Sequence, residues 1–182
     1  MTGTDSNSSL IDFCRVSNRW CNFVRNDVEP PLPFEDGQFQ YVFVYSVFSH
    51  FAEAMHLRWL EELRRIIKPG GAAAISVRGR NFIKSLREMR KSAPDVKSLR
   101  MLMDTDRELA RYDAGEFCFS PYRPRVDPWW GEACIPRAYV EREWSRLFEV
   151  AEFVEGSSPV NLEELRRAPH PTSEQNFVLL RA

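Results

Sequence analysis

The stretch from Gln40 to Val77 constrains this chain more than any other. "QYVFVYSVF", residues 40–48, is an unbroken run of β-branched and aromatic residues. With no polar alternation, it predicts a strand buried on both faces of a parallel sheet. Glu53 to Ile67 then reads as a helix: Trp59, Leu60, Leu63, Ile66 and Ile67 form one apolar stripe, and Arg58, Glu61, Glu62, Arg64 and Arg65 take the other side. Glu61 and Arg65 are spaced as an i,i+4 ion pair. His56, on the border between the two faces, is expected to be solvated. "KPGG" at 68–71 ends the helix, because Pro69 cannot continue it and glycine permits the left-handed exit. "AAAISV" at 72–77 is a second buried strand. Strand, helix, glycine turn and strand make a right-handed crossover, which commits the chain to an α/β fold.

The flanks extend this pattern. Asn7 to Arg15 reads as a helix capped by Ser6 or Asn7, and Cys21 to Arg25 as a short strand. Two adjacent prolines in "NDVEPPLPFEDGQF" forbid helix, and Asp36-Gly37 is a turn signal. Beyond Arg78, helices are expected over Asn81–Arg90 and Val96–Arg111. Residues 112–130 read as irregular and carry Tyr112, Phe117, Phe119, Tyr122, Trp129 and Trp130. Pro136 opens a helix to about Arg146. The last strands are expected over 147–156 and 176–182. Only a Pro- and Ser-containing connection with a short helical piece, Leu162–Arg167, separates them, so they should pair antiparallel.

Composition removes several function classes. At 182 residues with 43% hydrophobic and 28% charged, the chain can bury one full core and is expected to be soluble. A net charge of −1 gives no basic stripe for a nucleic-acid partner. No apolar run approaches the ~18 residues of a membrane span, and no secretory leader pattern is present. Cys14, Cys21, Cys118 and Cys134 have neither redox nor zinc-finger spacing, so free thiols in a reducing cytoplasm are expected and no metal site is read.

In "PLPFEDGQFQYVFVYSVFSHFAEAMHLRWLEELRRIIKPGGAAAISV" the chain resembles the class I S-adenosylmethionine-dependent methyltransferases of the "methyltransferase type 11" kind. The shared features are Leu32-Pro33-Phe34, Phe39, the strand to Val47, His50, and Lys68-Pro69-Gly70-Gly71, in that order. The resemblance implies a Rossmann-like methyltransferase sheet, mostly parallel with an antiparallel last strand, across residues 1–182, with a helical and aromatic excursion at about 78–136. It implies S-adenosyl-L-methionine as cofactor.

Under the resemblance, "TGTD" at residues 2–5 corresponds to the end of the family's second strand. Asp5 would accept the two ribose hydroxyls, since a carboxylate offers two acceptors to a cis-diol. Asp27 falls near the adenine amino group, Tyr45 and Ser46 fall at the end of the fourth strand, where ligands gather, and His50 is the candidate general base. Gln40 replaces the family's usual Asp. The family's first strand and glycine-rich loop have no counterpart: the glycines stand at 3, 37, 70, 71, 79, 115, 131 and 156, and none form that loop. Two expectations follow: a chain cut short relative to a longer methyltransferase, or a short homologue that has lost cofactor binding.

The expected reaction is methyl transfer to a small-molecule or glycan-type acceptor, with the aromatic residues from Tyr112 to Trp130, and Arg123 and Arg125, as either an acceptor pocket or a satellite hydrophobic cluster. The alternative is a catalytically dead binding subunit that completes its sheet with a partner or a second copy. A nicotinamide oxidoreductase is a third reading, disfavoured by the Lys-Pro-Gly-Gly turn and the antiparallel ending.

Overall fold

The crossover forms the centre of the main sheet. The computed structural model describes residues 1–92, 103–156 and 175–182. At the amino end, β1 (Thr2–Asp5) pairs in parallel with β2 (Asn22–Arg25), joined by helix α1 (Ser8–Ser17). Asn7 caps α1, its side-chain oxygen accepting from the Ser9 and Leu10 amides, which satisfies two donors that the helix itself cannot. These two strands form a separate sheet.

The crossover itself runs from β3 (Phe39–Val44) through α2 (Glu53–Ile66) to β4 (Ile67–Arg78), with β3 and β4 parallel. The helix stops at Ile66 and the chain turns directly into strand. Gly70 takes φ +73°, and a Cβ on Gly71 would lie 2.7 Å from the Gln40 carbonyl oxygen, so the glycines meet a backbone demand. Helix α3 (Arg80–Ser92) follows, then α4 (Thr105–Asp113), capped by Asp104. Of the helix expected over Val96–Arg111, the portion before residue 103 lies outside the described residues.

The expected irregular stretch at 112–130 is instead a hairpin. Strands β5 (Cys118–Arg123) and β6 (Asp127–Cys134) pair antiparallel around a turn closed by an Arg123–Asp127 ion pair. Pro121 and Pro128 hid it. Proline argues against a central strand, but it is tolerated near edges and bulges, and here the register slips between Pro121 and Arg123. Helix α5 (Arg137–Glu143), with Pro136 at its N-cap, leads to β7 (Glu149–Val154) and β8 (Gln175–Arg181). These last two are antiparallel, and β8 runs antiparallel to β4. The helical piece expected at Leu162–Arg167 lies outside the described residues.

The main sheet therefore has the order β5-β6-β4-β8-β7, with β3 also beside β4. β8 occupies one edge of β4 from Ala72 to Arg78, so β3 and β6 must share the other. β3 pairs with β4 as far as Ile75, and β6 takes over at Arg78 through Cys134. The hairpin thus stands directly beyond the carboxyl end of β3.

One sheet face carries the core. Ile75, Val77, Val178 and Leu180 pack with Leu60, Leu63 and Ile66 of α2 and with Tyr139, Val140 and Trp144. The opposite face of β3, β4 and β8 is open. Tyr41 is 77% exposed, Phe43 66% and Tyr45 49%, and the Phe43, Tyr45 and Phe177 rings stack on one another. The reading of β3 as buried on both faces is therefore corrected, because among the described residues no element covers that side.

Three expectations for α2 are also corrected. Arg65 pairs with Glu62 and Asp36, not Glu61, and donates to the Leu32 and Phe34 carbonyls, pinning the proline-rich loop to the helix. Glu62 is buried because the Leu32 amide and Arg65 both satisfy it. His56 is fully buried among Phe48, Phe117 and Trp144, because the helix face it occupies is covered by α5 and the segment that follows it.

Candidate active site

At Ser46 the chain leaves β3 in a conformation that residues with a Cβ seldom adopt, with φ +55°. Two partners hold it there. The Ser46 amide donates to Ser76 Oγ at 2.7 Å, and Gln175 Nε2 donates to Ser46 Oγ at 3.1 Å. These contacts tie the ends of β3, β4 and β8 together. Non-glycine residues in this region cluster at functional sites because the surrounding structure must over-determine them. A short 3₁₀ turn, Phe48–His50, follows and aims His50 at the hairpin.

His50 Nδ1 lies 2.9 Å from the Gly131 carbonyl oxygen and 3.3 Å from the Tyr122 hydroxyl. A carbonyl only accepts, so Nδ1 carries a proton, and in the neutral form of the ring the lone pair is then on Nε2. The ring also stacks on Trp130, with centroids 4.8 Å apart. Tyr122 donates its hydroxyl proton to Glu132, and Glu132 is ion-paired with Arg78. Arg78 and Glu132 are both buried, and the Arg78 guanidinium sits 4.2 Å from the centre of the Phe82 ring. Burial lowers the Arg78 pKa and raises that of Tyr122, so the phenol stays protonated as a donor. Gly131 is fixed sterically: a Cβ there would lie 2.1 Å from the Ser120 carbonyl oxygen.

Of the residues singled out in the sequence, Ser46 and His50 thus stand around the end of β3. Tyr45 lies beside Ser46 on the open sheet face, stacked with Phe43 and Phe177. Asp5 and Asp27 belong to the separate two-stranded sheet. Asp5 is exposed at the end of β1, and its Oδ1 accepts from the Asn7 amide at 2.7 Å. Asp27 is exposed at the rim of a groove of about 440 Å³ lined by Arg25, Asn26, Pro31, Leu32 and Pro33. The Asn26 amide donates to the Asp5 carbonyl at 3.2 Å, so these two carboxylates sit at the same end of the β1–β2 pair.

Sequence reasoning missed Ser76, Arg78, Glu132 and Gln175. One signal was available: Ser76 and Arg78 interrupt the end of an otherwise apolar strand, and a charge closing a buried run needs a partner. The aromatic residues divide. Tyr122 and Trp130 face His50, Phe117, Phe119 and Trp129 join the main core, and Tyr112 packs on a second core of Phe82, Ile83, Leu86, Met103 and Leu109. Arg123 is used in the hairpin turn.

Residues 1–75 match the sequence model of a methyltransferase domain family. Among solved structures, the chain is similar to a SAM-dependent methyltransferase from Methanosarcina mazei, at 17% identity and TM-score 0.61 over 99% of this chain and 80% of that one. The fold is that of a class I methyltransferase. A complex of the Haloferax volcanii Trm112 methyltransferase activator with its partner is also similar, at 16% identity and TM-score 0.59 over 100% of this chain and 71% of that one. So is the Burkholderia thailandensis 1,6-didemethyltoxoflavin-N1-methyltransferase, solved with 1,6-didemethyltoxoflavin and S-adenosylhomocysteine, at 10% identity and TM-score 0.57 over 99% of this chain and 60% of that one. No curated protein matches the chain.

The methyltransferase fold explains why two clusters face the carboxyl ends of parallel strands, the side where open α/β sheets gather ligands. The donor chemistry suits the nucleoside half of S-adenosylmethionine: Asp5 keeps Oδ2 outside its bond to Asn7, and the Asp27 groove is a concave neighbour. The methionine half has no glycine cradle among the described residues. A Cβ on Gly3 would meet the Phe23 ring, and one on Gly71 the Gln40 and Lys68 carbonyls.

Proposed function

We propose that the chain is an S-adenosylmethionine-binding methyltransferase domain acting on a small-molecule or glycan-type hydroxyl. The observation that carries this is the convergence at the end of β3: a strained Ser46, and a His50 whose Nδ1 proton is committed to Gly131, leaving Nε2 as the basic nitrogen. Asp5 would hold the ribose, Asp27 the adenine amino group, and Tyr45 and Ser46 the side nearest the acceptor. The cofactor supplies an activated methyl group with a neutral thioether as leaving group. The chain's own task is alignment, exclusion of water and removal of one proton. His50 Nε2 would take the acceptor hydroxyl proton, with Trp130 fixing the plane of the ring and Tyr122 bounding the site. The test is transfer of labelled methyl groups from S-adenosylmethionine to a panel of hydroxylated small molecules and oligosaccharides. Label appearing in an acceptor with wild type, and falling sharply with His50→Asn, supports the reading. Equal transfer by both proteins removes His50 as the base.

A second reading has its own observation. β3 hydrogen-bonds to β4 along one edge, and its open face exposes Tyr41, Phe43 and Tyr45, which suits a binding subunit that pairs with a partner or a second copy. The Haloferax volcanii neighbour was solved with an activator protein. Light scattering on the purified chain distinguishes the readings: a monomer of 21.3 kDa at high concentration counts against self-pairing.

A further inference from the structure

Burying the Arg78–Glu132 pair takes two charges out of water. Arg78 ends β4 and Glu132 lies in β6, positions where apolar residues would pack without desolvating two charges. Replacing such pairs by apolar side chains is often neutral or stabilising, so a pair kept in place invites the question of what it touches. Here it touches Tyr122, and Tyr122 touches His50.

The donor order along this chain is fixed by chemistry. The carboxylate of Glu132 accepts from the Tyr122 hydroxyl, so the phenol oxygen is left to accept. It faces the same His50 Nδ1 that donates to Gly131. A phenol that donates to a carboxylate becomes a stronger acceptor, because hydrogen bonds in a chain polarise one another. When Nε2 gains a proton, the resulting imidazolium therefore meets a polarised oxygen and, behind it, a carboxylate. Among the described residues, the charged groups that reach the ring through Tyr122 are Glu132 from β6 and, behind it, Arg78 from β4. Gly131 and Trp130 of β6 present a carbonyl and an aromatic face.

We propose that Tyr122 is a positioning residue: it couples the buried Glu132 carboxylate to His50, holding the imidazole with Nε2 as the acceptor nitrogen and stabilising its protonated form. Arg78 has the complementary task of keeping Glu132 ionised and in place. The inference rests on the reading of His50 as the base of the site, and it needs neither cofactor nor acceptor to be tested.

The test is an NMR titration of the His50 ring in the full chain labelled with ¹⁵N-histidine, in wild type, Tyr122→Phe, Glu132→Gln and the double variant. In wild type, the neutral ring should carry its proton on Nδ1. The titration midpoint should fall in each single variant, and the double variant should fall no further than Tyr122→Phe alone, because Glu132 acts through the phenol. A mere packing defect would lower the melting temperature and leave the midpoint where it was. An unchanged midpoint in either folded single variant overturns the proposal, as do effects that add in the double variant, which would mean that Glu132 acts on His50 independently. If one single variant fails to fold, the midpoint of the other decides the question by the same criterion. The methyl-transfer assay is separate: absence of transfer by wild type would remove the methyltransferase reading and leave the His50 coupling standing, and an unchanged midpoint would remove the coupling and leave that reading standing.

Discussion

Replacing His56 with leucine should flatten the pH dependence of stability between pH 7 and pH 5. His56 is 0% exposed, and neither ring nitrogen has a hydrogen-bond partner among the described residues. Its surroundings are the Phe48, Phe117 and Trp144 rings, with centroids at 4.5, 5.4 and 5.1 Å. Burial pushes its pKa down from 6.5 to about 3. The folded protein therefore keeps the ring neutral where the unfolded chain protonates it. The unfolded state binds more protons, so stability is fully present above 6.5 and is lost as the pH falls toward 3. At about 1.4 kcal/mol per pH unit below 6.5, the loss from pH 7 to pH 5 is about 2 kcal/mol. That is a large share of the ~5–15 kcal/mol that holds a domain together. In urea, with a slope of about 2 kcal/mol/M, it corresponds to a midpoint shift of roughly 1 M. The assay is urea unfolding of wild type and His56→Leu at both pH values. Wild type should lose about 2 kcal/mol more than the variant over that interval, and the variant should be near neutral or stabilised at pH 7, since it removes two orphaned polar atoms. Parallel pH dependences in the two proteins would mean that His56 does not titrate with unfolding.

Arg65→Ala should cost about 2–4 kcal/mol, because it strands the buried Glu62 carboxylate and releases the loop at Leu32 and Phe34; chemical denaturation reads this directly. Gly131→Ala forces a Cβ against the Ser120 carbonyl oxygen and should cost about 1–3 kcal/mol. Hydrogen exchange should then show faster exchange at the β5–β6 amides, while the β4–β8 ladder stays protected.

The crossover was legible because each of its signals was local. A β-branched run, a helical stripe and a Lys-Pro-Gly-Gly turn lie within 38 consecutive residues, from Gln40 to Val77, and each residue's role depends on near neighbours. The β7–β8 pairing was readable from the short connection alone. What failed depended on contacts distant in sequence. His56 reads as a border residue until α5 and the turn at Trp144 are laid over it. Glu62 reads as solvent-facing until the Leu32 amide, 30 residues away, reaches it. The β5–β6 hairpin was hidden by two prolines whose positions only the sheet's edge makes acceptable. The site was half-legible for the same reason. His50 and Ser46 were visible because they follow a strong strand, but Tyr122, Glu132 and Arg78 come from three other strands. Only the placement of the hairpin beyond the end of β3 brings them to His50.

Asp5 and the carboxyl ends of β1 and β3 are the proposed seat of S-adenosylmethionine. Calorimetric titration of S-adenosylhomocysteine into the 182-residue chain, with Asp5→Ala alongside, tests it most directly. Saturable micromolar binding by wild type, weakened at least tenfold in Asp5→Ala, a loss of about 1.4 kcal/mol or more, is the predicted result. A folded wild-type chain that takes up no ligand would contradict it.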